Sequence, residues 1–221
     1  KGKTSLIIKL PDGRSTLLYG GTDSGCINVQ SRSFLTFVDQ KIDLLVVTDG
    51  SGSSIRELLG MMEGMPVKQI SVARVLPKSK SKDLLERVIS ESGINHAQYF
   101  PSQQIKIGNQ TYLTVLFDEE DGPAFLLETG GVKILIPGQN SVSEIKHHSP
   151  LPVEGVTMLV LADKNFADDE LSDWMVFKPL VVVWAGKEPY MGSTPANFLQ
   201  MMQCTSISMS TDGQKVWFYK D

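Results

Sequence analysis

The chain has 221 residues, 41% of them hydrophobic, with 21 Lys and Arg set against 25 Asp and Glu for a formal net charge of −4. That length and apolar content allow a sizeable core, the ordinary composition argues against disorder, and the slight acidity gives no global attraction to nucleic acid. No apolar run reaches the roughly 20 residues that cross a bilayer, and Cys26 and Cys204 lack any paired-thiol or zinc spacing.

The first predicted elements are strands over 6–10 and 15–19, joined by a Pro11-Asp12-Gly13-Arg14 turn. Residues 31–40 carry Phe34, Leu35, Phe37 and Val38 at helical spacing. A buried strand over 44–48 is followed by a helix over 54–63 with Ile55, Leu58, Leu59 and Met62 on one face. A strand over 69–75 precedes a helix over 81–92 with an acidic first turn and a glycine stop at Gly93. Four closely spaced strands follow, over 105–107, 111–117, 124–129 and 132–136. Alternation then resumes, with helices over 141–147, 168–175 and 195–202 and strands over 156–161 and 181–184. A hairpin around Asp212-Gly213 closes the chain. With no repeat and no long linker, residues 1–221 read as one α/β domain with a meander in the middle.

The most informative stretch is 43–59, where Leu44 to Val47 feed the polar turn Asp49-Gly50-Ser51-Gly52-Ser53-Ser54 ahead of a helix. Three other segments stand in a matching order: Ser5 to Gly21, Gly122 to Gln139, and Val156 to Asp221. Together they resemble the metallo-β-lactamase-fold superfamily, and within it the soluble hydrolase-like domain of ComEC-type competence proteins, which import single-stranded DNA. The resemblance implies a four-layer αββα sandwich. It also marks Asp49, Ser51, Ser53, Ser54, Gln139 and Asp163 as the positions where the superfamily places metal ligands. A zinc pair needs imidazole or carboxylate donors at about 2.0–2.2 Å, and serine hydroxyls are poor substitutes. Tyr19 likewise stands where the opening hairpin of the superfamily usually carries an acid.

The expectation is therefore a metal-less, non-catalytic domain with no cofactor. By the resemblance, it is a structural, docking or ligand-sensing module of a DNA-uptake protein. Its implied partner is the remainder of a membrane-embedded transport protein, and its implied place is membrane-associated, as an extracytoplasmic soluble domain. The chain starts at Lys1, and it is read as a domain cut from something longer.

Two other readings keep specific residues in play. A divergent hydrolase or nuclease would rebuild a metal site from Asp49, Asp163 and the pair His147-His148. Adjacent histidines on a helix point about 100° apart, however, and so do not chelate as an i, i+4 pair does. A phosphate-, nucleotide- or single-strand-binding module would use Gly50, Ser51, Gly52, Ser53 and Ser54, whose backbone N–H groups precede a helix. In the plain structural reading, Ser53 or Ser54 simply caps that helix. The acidic run Asp118 to Asp121 reads as a solvated hairpin tip, and Lys78-Ser79-Lys80-Ser81-Lys82 as a solvated loop without interleaved aromatics.

Overall fold

The computed structural model describes residues 5–10, 12–21, 41–73, 80–119, 122–149, 153–162, 171–185, 190, 194–195, 197–201, 207–211 and 216–220. The chain gathers into two compact units, Lys3–Phe100 and Pro101–Asp221, the latter taking in Lys1–Gly2. The expected helix over 31–40, Cys26, Cys204 and Asp163 all lie outside the described residues.

In the N-terminal unit, β1 (Ser5–Lys9) runs antiparallel to β2 (Ser15–Tyr19). Three parallel strands extend the sheet in order: β3 (Leu44–Val47), β4 (Gln69–Ala73) and β5 (Asn95–Tyr99). Parallel neighbours need crossovers; α1 (Gly52–Gly64) supplies the one between β3 and β4, and α2 (Lys80–Ser92) the one between β4 and β5. Leu17, Tyr19, Leu45, Val47 and Ile70 from the sheet meet Ile55, Leu58 and Met61 of α1 and Leu85 and Ile89 of α2. Those helical positions recur every three or four residues, which is the spacing that buries one face. All four residues of β3 are buried, as suits a central strand of a parallel sheet. After α2 the backbone turns at Gly93, φ +64°, where a side chain would be strained.

At the amino ends of these strands, the Asp43 carboxylate accepts hydrogen bonds from the Ser15 N–H at 3.0 Å and Lys68 Nζ at 2.6 Å. Burial pushes the carboxyl pKa up, but the Lys68 and Ser15 hydrogen bonds, together with the charges of Lys68 and Lys41, hold Asp43 below its ordinary value. The pin joins β2 and β3 at the end of the sheet away from the turn described below.

The C-terminal unit holds a seven-stranded sheet. Its antiparallel meander is β6 (Gln104–Lys106), β7 (Thr111–Glu119), β8 (Gly122–Thr129) and β9 (Val132–Ile136). Then β10 (Met158–Ala162), β11 (Val181–Ala185) and β12 (Phe198–Met201) continue it in parallel. α3 (Val142–His148) follows the meander. α4 (Leu171–Trp174) passes into a single 3₁₀ turn, Met175–Phe177. Val142, Ile145, Leu171, Trp174 and Phe177 pack on Leu126, Leu135, Leu159, Leu161 and Val182. A separate hairpin pairs β13 (Ile207–Thr211) with β14 (Val216–Lys220).

Two sequence expectations change. Residues 195–202 read as a helix, but 198–201 form β12, paired in parallel with Val182 to Ala185. Phe198-Leu199-Gln200-Met201 is too short for periodicity to separate helix from strand, and the neighbouring strand decides. The stretch 95–99 carried no strand expectation because Asn-His-Ala-Gln-Tyr lacks a β-branched or apolar run. Pairing with β4 makes it β5, with only Tyr99 buried.

Candidate functional site

β2, β3 and β4 end side by side, with Tyr19 opposite Val47 and Val47 opposite Val72. In parallel α/β sheets, the loops leaving the carboxyl ends of the strands are the usual place for ligands. Here Thr48 N–H donates to the Tyr19 carbonyl at 2.9 Å, and the fully buried Tyr99 hydroxyl donates to the Val47 carbonyl at 2.9 Å. The end of β3 is thus fixed before the turn begins.

Asp49 then organises the turn. Its Oδ1 accepts from the Ser51 N–H at 2.8 Å, and its Oδ2 from the hydroxyls of Ser51 at 2.9 Å and Ser54 at 2.6 Å. Ser51 is the N-cap of α1, and its Oγ accepts the Ser54 N–H at 3.4 Å. Neither Ser53 nor Ser54 caps the helix, contrary to the sequence reading. The helix starts at Gly52, and Ser53 is exposed with its Oγ 3.3 Å from that of Ser51. The extended backbone of Ser51, together with its bond to Asp49, makes it the cap. Ile55 N–H bonds to the Ser51 carbonyl at 3.0 Å, which starts the helical ladder.

Beneath the turn, buried Tyr19 reaches α1 and donates to Glu57 Oε2 at 3.3 Å. Burial, then the charge and hydrogen bond of Glu57, then the charge of Asp49, push the phenol above its ordinary pKa. Sequence reasoning placed Tyr19 only as a replaced acid and missed Glu57. The pattern Ser54-Ile-Arg-Glu57 looks like a capping box, yet Ser54 is the third helical residue and Glu57 serves Tyr19 instead.

Gln139 belongs to the C-terminal unit, in the loop between β9 and α3. The buried side chain of Asn140 straps that loop, its Nδ2 donating to the Gly122 carbonyl at 3.1 Å and the Pro137 carbonyl at 2.6 Å. Gly138 has φ +67°, and a Cβ there would lie 2.5 Å from the Pro123 carbonyl oxygen. Ser141 caps α3 in a full capping box with Glu144. His147 is exposed on α3, and His96 is exposed on β5. Of the sequence-selected positions, Asp49 and Gly50 to Ser54 come together in one turn.

No family model matches the chain, and no curated protein is significantly similar to it. Solved structures are similar. The metallo-β-lactamase fold protein YhfI from Bacillus subtilis superposes with a TM-score of 0.64 at 10% identity, over 99% of this chain and 92% of that one. A diphosphatase of the PhnP family gives 0.56 at 14%, over 91% and 82%. The short form of human tRNase Z gives 0.54 at 12%, over 92% and 91%. The fold is that of the metallo-β-lactamases. The mixed α/β architecture expected from sequence is therefore present, with two principal sheets and few helices.

Metal ions are the cofactors that the sequence resemblance attaches to this fold, and the donors of the β3–α1 turn do not fit them. A carboxylate offers about four acceptor positions. Three donors from its own turn already take three of those of Asp49. The other side chains within the turn are neutral hydroxyls. Among the described residues, no three His, Cys, Asp or Glu side chains group closely enough to hold an ion.

Proposed function

We propose that this chain is a non-catalytic domain on a metallo-β-lactamase fold, serving as a structural or docking part of a larger machine. One observation carries the reading. The only carboxylate at the four ligand positions of the turn, Asp49, is spent on holding that turn together. Hydrolysis in such folds requires a metal to polarise the substrate and to generate hydroxide near neutral pH. Hydroxyls bonded to their own backbone and to one aspartate supply neither service. Two of the structural neighbours are named as a diphosphatase and a tRNase, so phosphate esters are the substrates to test.

The machine we propose is a ComEC-like DNA-uptake protein, with this domain beside a membrane on its outer face. That finer assignment rests on the order of the four sequence segments described above. Among the described residues no helix is long and apolar enough to cross a membrane.

The test is metal analysis after exposure to zinc, iron and manganese, paired with hydrolysis of bis-p-nitrophenyl phosphate and single-stranded DNA. The expected outcome is less than stoichiometric metal and no turnover above buffer. Stoichiometric metal accompanied by turnover overturns the proposal.

A further inference from the structure

We infer that Asp49 is a built-in counter-charge for the N-terminus of α1, and that it closes the β3–α1 turn to metal ions and to free anions alike. The inference deepens the non-catalytic reading and rests on it. It turns on the mismatch between the metal chemistry expected of this fold and the donors that the turn contains.

The first turn of a helix exposes unpaired N–H groups and carries roughly half a positive charge. Something must satisfy it. In α1 the carboxylate comes from the chain just before the helix. Asp49 lies two residues ahead of the cap, yet its oxygens take the Ser51 N–H and both the Ser51 and Ser54 hydroxyls. Ser51 links the two parts, donating its single hydroxyl proton toward Asp49 while accepting the Ser54 N–H. Such a chain polarises each successive bond in one direction. α3 meets the same need with Glu144, whose Oε2 accepts from both the N–H and the hydroxyl of Ser141. A carboxylate against a helix start is therefore an ordinary structural device in this protein.

Occupation from within has two consequences. A metal would have to strip three hydrogen-bond donors from Asp49 and gain only hydroxyl oxygens beside it. An incoming phosphate would meet Asp49 itself, with Glu57 bonded to Tyr19 close to the same turn. The anion-binding role considered for Gly50, Ser51, Gly52, Ser53 and Ser54 is thus taken by a residue of the same turn.

Amide hydrogen exchange on the full chain tests this at single-residue resolution. Asp49→Ala is expected to speed exchange at the Ser51 and Ser54 amides by about tenfold, with a smaller change at Ile55, whose N–H bonds to a backbone carbonyl. Zinc chloride and inorganic phosphate are expected to leave wild-type exchange at these amides unchanged. Should Asp49→Ala fail to fold, Asp49→Asn and Ser54→Ala take its place. Each removes part of the network, and a several-fold rise at the same two amides is expected. Unaltered exchange in the folded variants, with no zinc bound, overturns the counter-charge and leaves the non-catalytic reading standing. Zinc that slows wild-type exchange but not that of Asp49→Ala overturns both. Phosphate that slows wild-type exchange overturns the closure alone.

Discussion

The β3–α1 and β9–α3 turns are built to the same plan, a strand, a short polar loop, a serine cap and a helix. Each brings one carboxylate to the helix start, but from opposite directions. In α3, Glu144 at the third helical position reaches back to Ser141. In α1, Asp49 at the strand end reaches forward to Ser51 and Ser54. The β9–α3 loop has further clamps in Asn140 and Gly138, whereas the β3–α1 turn depends on Asp49. The difference shows why one acid resembled a ligand and the other did not. An acid ahead of a helix falls where this fold places metal donors, and an acid inside the helix falls where any capping box has one.

The comparison is most easily broken at Gly138. A methyl group there meets backbone as well as an unfavourable φ, so Gly138→Ala should cost about 2–4 kcal/mol in urea denaturation. A cost below about 1 kcal/mol would mean that the β9–α3 loop is less tightly held than its geometry indicates. Next come the two acids. Asp49→Ala strands three donors and should cost about 2 kcal/mol. Glu144→Ala removes half of a capping box and should cost about 1 kcal/mol. Equal losses would mean that the clamps beside α3 do not share its load.

Tyr19→Phe gives the smallest effect at neutral pH, about 0.5–1 kcal/mol for a long hydrogen bond. Its value lies in alkali. The folded phenol has a raised pKa, so its contribution is complete below the unfolded value of about 10 and fades as pH rises above it. Denaturation midpoints measured from pH 8 to 11 should therefore fall more steeply for wild type than for Tyr19→Phe. Parallel profiles would show that the phenol is not held neutral by its surroundings.

Much of this was legible in the sequence. Leu44 to Val47, the glycine and serine turn, and the apolar spacing of Ile55, Leu58 and Met62 announced a buried strand leading into a helix. The meander followed from strands punctuated by Gly-Asn and Gly-Gly. Less legible was anything decided by a distant neighbour. Asn95 to Tyr99 becomes a strand because β4 lies beside it, and Phe198 to Met201 because β11 does. The sequence put the cap at Ser53 or Ser54, and finding it at Ser51 required knowing where Asp49 points. The Tyr19–Glu57 bond joins residues 38 apart in sequence, and no local pattern announces it.

The bonds that Asp49 and Ser51 make in the β3–α1 turn fall between residues 49 and 55. A centre assembled from scattered segments fails when any contributor drifts. A knot tied within seven neighbours tolerates change everywhere else, and so this corner of the architecture can persist through divergence.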